Sequence, residues 1–121
     1  MAGDYSIGSD KWAGLSKLIE ECGEVMQVVG KLIATDGGTA HWDGSDLRQR
    51  LTEELADLWA AVQFVAAAND LATAAFHARV EKKKLQFYEW HREQSHGRCA
   101  ACGWPNKADG CCSRADCCNS D

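Results

Sequence analysis

Two short stretches of this sequence concentrate carboxylates: Glu20-Glu21-Cys22-Gly23-Glu24 and Glu53-Glu54-Leu55-Ala56-Asp57. Each sets two acids three residues apart, so Glu21 with Glu24, and Glu54 with Asp57, fall on neighbouring turns of one helix face. Four carboxylates brought together repel and raise one another's pKa values. A divalent cation removes that cost. The donors are hard oxygens, with no histidine or thiolate, which suits Mg²⁺ or Mn²⁺ rather than zinc. Mg²⁺ keeps part of its water shell and bridges to phosphate oxygens, so such a site favours phosphate chemistry. Ordinary surface pairing is the competing reading, because Lys17 precedes Glu21 by four residues and Arg50 precedes Glu54 by four. A ferritin-like di-iron centre needs Glu-x-x-His on two helices; the one match, Glu93-Gln-Ser-His96, lies outside the apolar stripes.

Positioning these acids falls to helices. Leu15, Leu18, Cys22, Val25, Val29 and Leu32, with Ile19, Met26 and Ile33 beside them, recur at alternating spacings of three and four. That spacing predicts a first helix over about residues 10–34 with one buried face, on which Cys22 is a core residue. Ser9 or Asp10 is placed to cap it. Leu47, Leu51, Leu55, Leu58, Val62 and Val65 predict a second helix over about 46–68, capped by Ser45 or Asp46 and ended by Asn69-Asp70. A third, less periodic, spans about 71–93. The Gly-bearing stretch 35–46 reads as the loop between the first two. At about 100° per residue, Glu21 lies roughly 60–70° from the centre of its stripe and Glu24 roughly 120–130°, on the same side. Glu54 and Asp57 have nearly the same offsets from theirs. Antiparallel packing would therefore bring the two acid pairs face to face along the border of the buried seam. Nothing alternates like a strand, and the expected fold class is all-α, an antiparallel helical bundle.

The chain has 121 residues and a net charge of −5, which gives it no overall attraction to nucleic acid or to an anionic membrane. No apolar run is long enough to cross a bilayer, and the N-terminus lacks a secretory signal pattern, so a soluble, cytoplasmic protein is expected. The seven cysteines are unevenly placed: Cys22 alone, and six between Cys99 and Cys118. Composition divides the chain into a helical body, 1–94, and a Cys-rich tail, 95–121. Cys99 and Cys102 have the spacing of a zinc knuckle, and Cys112 and Cys117 can complete a four-thiolate Zn²⁺ site. A disordered tail and a redox-active or disulfide-linked one are the other readings.

The pattern Glu20-Glu21-x-x-Glu24, a loop, then Glu54-x-x-Asp57, within Lys17-Leu-Ile-Glu-Glu-Cys-Gly-Glu-Val-Met-Gln27 and Glu53-Glu-Leu-Ala-Asp-Leu58, resembles the MazG-like all-α nucleotide pyrophosphohydrolases, relatives of dimeric dUTPases and dCTP pyrophosphatases. The resemblance covers about residues 11–92. It implies Mg²⁺-dependent hydrolysis of a nucleoside triphosphate to the monophosphate and pyrophosphate. It further implies Glu21, Glu24, Glu54 and Asp57 as metal ligands, with Glu20 as an outer carboxylate that orients or deprotonates the attacking water. The bundle would be completed by oligomerisation, as a homodimer or homotetramer. In many members the third helix supplies a Lys and an Asn to the phosphates; Arg79 and Lys83 are the best matches here, an Asn is missing from that stretch, and Asn69 is the candidate substitute. Lys17 is a further candidate for the leaving group. Trp42 or Trp12 could stack on the base, although a core or dimer anchor is the commoner role for such a residue. Besides that missing Asn, two features depart from the family: the long loop with His41-Trp42-Asp43-Gly44, and the cysteine tail. The alternative function is a non-catalytic helical dimer that binds partners through a zinc-holding tail.

Overall fold

The computed structural model describes residues 3–95. Among these the protein is all-α, with three helices and no strand: α1 (Leu15–Ala34), α2 (Leu47–Ala68) and α3 (Ala74–Ser95). The described residues fall in two units, one ending at Thr73 and the other beginning at Ala74. No helix among them is long and apolar enough to cross a membrane. The tail cysteines Cys99, Cys102, Cys112 and Cys117 lie outside the described residues.

The first unit is a helical hairpin in which α1 packs on α2. Its two ends are tied by hydrogen bonds that make the helices antiparallel. The side-chain amide of Asn69, just past α2, donates to the carbonyl of Ala13, just before α1, at 3.0 Å. At the other end the N–H of Leu47 donates to the carbonyl of Thr39 at 2.7 Å. Val28, Leu47, Ala61, Val65 and Ala66 form the buried apolar core.

α1 begins five residues later than its apolar spacing predicts. Tyr5, Trp12 and Gly14 all take positive φ, which folds residues 5–14 into a hook instead of a first helical turn. The carbonyl of Ser6 accepts from the N–H groups of Ser9 and Gly14, and that of Tyr5 from the N–H of Ser16. Backbone carbonyls of the hook thus satisfy N–H groups at the start of α1, the work expected of a Ser9 or Asp10 side chain. The Ser9 hydroxyl is instead engaged with the backbone of Lys11. Gly14 stands where only glycine fits, since its φ is 90° and a Cβ there would lie 2.8 Å from the Phe64 ring.

The buried face of α1 is also rotated from the expected stripe. Glu21 and Val28 are buried and Leu15, Leu18, Val25 and Leu32 half-buried, while Cys22 is exposed. Cys22 is therefore not a core residue. The apolar residues of α1 are too many for a single seam. One set faces α2; the other, Ile19, Cys22, Met26, Val29 and Ile33, forms a second stripe facing outward.

α2 starts where expected, with the Asp46 carboxylate accepting from the N–H of Arg48 at 2.9 Å. α1 and α2 end alike. Asp36 and Asp70 adopt left-handed conformations, and the next N–H returns to a carbonyl five residues back, Gly37 to Leu32 and Leu71 to Ala66. The loop between the helices is compact. Asp43 accepts from both the N–H and hydroxyl of Ser45, and an isolated bridge joins Ala40 to Asp46.

α3, in the second unit, has no fully buried residue. Phe76, Val80, Lys83 and Gln86 are half-buried along one side, and Phe87 and Trp90 pair at 5.8 Å between ring centres.

Candidate metal centre

The hairpin brings the four predicted carboxylates together. Glu21 and Glu24 from α1, Glu54 and Asp57 from α2, each offer an oxygen, and these oxygens all lie within 4.8 Å of one another. The three-residue spacing within each pair sets the acids one turn apart, and the antiparallel packing sets the pairs opposite. Their burial is graded. Glu21 is only 6% exposed, Glu24 and Glu54 are half-buried, and Asp57 opens to solvent. Glu21 thus sits inside the seam, closer to its centre than the stripe offsets suggest.

Electrostatics mark the cluster as incomplete on its own. Glu21 Oε2 and Glu54 Oε2 are buried with no hydrogen-bond partner among the described residues. A buried charged oxygen left unmatched is costly, and native structures contain few. The carboxyl of Glu24 is pushed above its ordinary pKa of 4.5, first by the hydrogen bond it shares with Glu54, then by burial and by the charge of Glu54. Two carboxylates so close repel, and a cation between them removes that cost. The Lys17 ammonium lies 3.2 Å from Glu21 and 3.4 Å from Glu20. Those two acids, Glu21 first, raise the Lys17 pKa and keep it charged. Among the described residues, one ammonium faces Glu20 and Glu21, and Glu54 and Asp57 have no ion pair. Buried hard oxygens, converging and short of positive charge, are a donor set that fits a divalent ion such as Mg²⁺.

No family model, curated protein or solved structure matches this chain. Its functional reading therefore rests on the residues themselves.

A cavity of about 470 Å³ opens beside the cluster. Lys17, Glu21 and Asp57 supply its charged side, and Ile7, Gly14, Ala60, Ala61 and Phe64 its apolar side. Sequence periodicity did not single out that apolar set. The available signal was Phe64, a large apolar residue off the α2 stripe, together with a glycine immediately before α1.

The other sequence candidates lie elsewhere or have other partners. Glu20 is exposed next to Lys17, one residue from the cluster. Trp42 stands at the tip of the interhelical loop, 90% exposed, and does not line the cavity. Beside it His41 Nδ1 lies 2.7 Å from Asp43 Oδ1, an ion-pair distance without hydrogen-bond alignment. Asn69 gives its amide to the carbonyls of Ala13 and Val65, so it ties the hairpin together. With Tyr5, Lys11, Trp12 and Asp70 it lines a separate depression. Arg79 and Lys83 are on α3, where Lys83 Nζ bonds Gln86 Oε1 at 3.3 Å.

Proposed function

We propose that Glu21, Glu24, Glu54 and Asp57 hold Mg²⁺, with Mn²⁺ as an alternative, and that the protein hydrolyses nucleoside triphosphates to monophosphate and pyrophosphate. The observation that carries this reading is the convergence of four carboxylates within 4.8 Å, two of them with a buried oxygen that has no hydrogen-bond partner among the described residues. The MazG-like order of the acid motifs on consecutive helices supports it. When bound, the ion neutralises triphosphate charge and lowers the pKa of a water.

The chain's own groups have separate tasks. Glu21 and Glu54 anchor from the dry side of the cluster, and Asp57 faces the solvent side, where substrate enters. Glu20, outside the ligand set and bonded to Lys17, is placed to accept a proton from the attacking water. Lys17 can turn from its carboxylates to the phosphates, since its side chain is 43% exposed. A homodimer or homotetramer is the working assembly in this proposal.

The test is a hydrolysis panel of the common dNTPs and NTPs with Mg²⁺ or Mn²⁺, reading monophosphate and pyrophosphate separately from diphosphate and orthophosphate. Glu21→Gln is the control. Production of monophosphate with pyrophosphate, reduced at least about a hundredfold in the variant, is the expected result. Diphosphate and orthophosphate as products, or activity that survives Glu21→Gln, would contradict the reading.

A further inference from the structure

Trp42 is 90% exposed, yet the loop that carries it is closely tied. The N–H of His41 donates to the carbonyl of Ser45 at 3.1 Å, and the N–H of Gly44 to the carbonyl of His41 at 2.9 Å. The Asp43 carboxylate holds Ser45 by two further bonds. The indole is therefore displayed in a fixed place, and docking it costs little loop entropy. Tryptophan is among the residue types most enriched where protein contacts are anchored.

At the far end of the hairpin lies a depression of about 510 Å³ whose lining suits an indole. Tyr5 and Trp12, both half-exposed, supply aromatic surface, and Ala68 a small apolar contact. Lys11 supplies a cation for the face of a ring. Asp70 and Asn69 supply acceptors for an indole N–H, which can only donate. The Asn69 nitrogen is spent on the carbonyls of Ala13 and Val65, so its side-chain oxygen is the part left to accept. Tyr5, Trp12 and Asp70 are also three of the four non-glycine residues with positive φ among the described residues. Side chains are held in that region at a cost, and such strain gathers at sites shaped for binding.

The loop and the depression stand at opposite ends of the hairpin. The 20 residues of α1 separate them by about 30 Å, so Trp42 cannot enter the depression of its own chain. We propose that Trp42 of one copy seats in the depression formed by Tyr5, Lys11, Trp12 and Asp70 of a second copy, and that this contact is made twice. Laid antiparallel, two hairpins bring each loop beside the other's hook, and an isologous pair repeats the contact by symmetry. This rests on the homo-oligomer in the reading above and adds to it the residues that lock two chains together. The loop is also where the chain departs from the MazG-like pattern.

Sedimentation of the full-length protein over a dilution series, with reductant present, tests it. Trp42→Ala and Lys11→Glu should each weaken self-association at least about tenfold. Both side chains are exposed, so both variants should fold and keep the wild-type rise in melting temperature with Mg²⁺. The decisive measurement is a mixture of the two variants. Neither variant paired with itself has an intact contact, whereas a mixed pair sets Trp42 of one chain against Lys11 of the other. The mixture should therefore associate more tightly than either variant alone. A mixture no tighter than its components would overturn the proposal, as would wild-type association in both variants. A monomeric wild type would overturn it together with the homo-oligomer reading, and would leave the metal reading to its own test.

Discussion

At the scale of single residues, the cluster is a balance between repulsion and burial. Glu54 has one buried oxygen without a partner and also shares a hydrogen bond with Glu24. Replacing it by glutamine removes a negative charge and supplies an amide that can donate to the remaining carboxylates. In chelator, Glu54→Gln should therefore melt above the wild type. Added Mg²⁺ should reverse the order. At about one hundred times the dissociation constant a ligand stabilises by about 2.7 kcal/mol, and the variant should lose most of that gain. Melting both proteins with and without Mg²⁺ decides it. A wild type indifferent to Mg²⁺ would show that the acids are a solvated cluster and nothing more.

At the scale of elements, what was legible in the sequence followed from periodicity, and what was missed followed from backbone conformation. α2 was legible almost to the residue because Asp46 caps it and Asn69-Asp70 ends it. α1 was extended over residues 10–14 because Lys11, Trp12 and Ala13 carry no breaker. The hook that replaces this turn depends on positive φ at Tyr5 and Trp12, which a side-chain pattern does not encode. The four acids were legible because helix spacing fixes their faces. The apolar side of the cavity beside them was not, because Ile7 reaches it from the hook.

The interhelical loop belongs to the same scale, and its order depends on one ionised group. Bonds from the hydroxyl and N–H of Ser45, and then the His41 ring beside it, hold the Asp43 carboxyl well below its ordinary pKa of 3.8. A depressed folded-state pKa contributes stability above the unfolded value and loses it as pH falls through the folded one. Asp43→Ala should therefore lower the melting temperature at neutral pH. The gap from wild type should narrow as the solution is acidified below pH 3.8. Melting curves across that range check it. A gap that does not change with pH would mean that the loop is held by its backbone bonds alone.

At the scale of the whole molecule, the hairpin is two-sided, with its acids on one side and its spare apolar residues on the other. Taking the buried face of α1 as reference, Glu24 is rotated about 80° one way and the stripe Ile19–Ile33 about 100° the other. Ile19, Met26 and Ile33 are 73%, 72% and 75% exposed, and Cys22 and Val29 fill the intervals at spacings of three and four. That is the repeat of a helix-pairing seam. Read outward from Met26, the stripe runs to an isoleucine seven residues away in each direction. A second copy laid antiparallel about a twofold axis at Met26 would set Ile19 against the partner copy's isoleucine, as an isologous contact requires. All four carboxylates come from one chain and lie away from this stripe, so assembly and metal binding are separable. With reductant present to silence the cysteines, the wild type should sediment as a dimer or tetramer. Met26→Glu, which puts two charges together on the axis, should shift it to monomer while the Mg²⁺-dependent rise in melting temperature survives. A monomeric wild type, or an unchanged assembly in the variant, would place the subunit contact elsewhere and leave the stripe without this role.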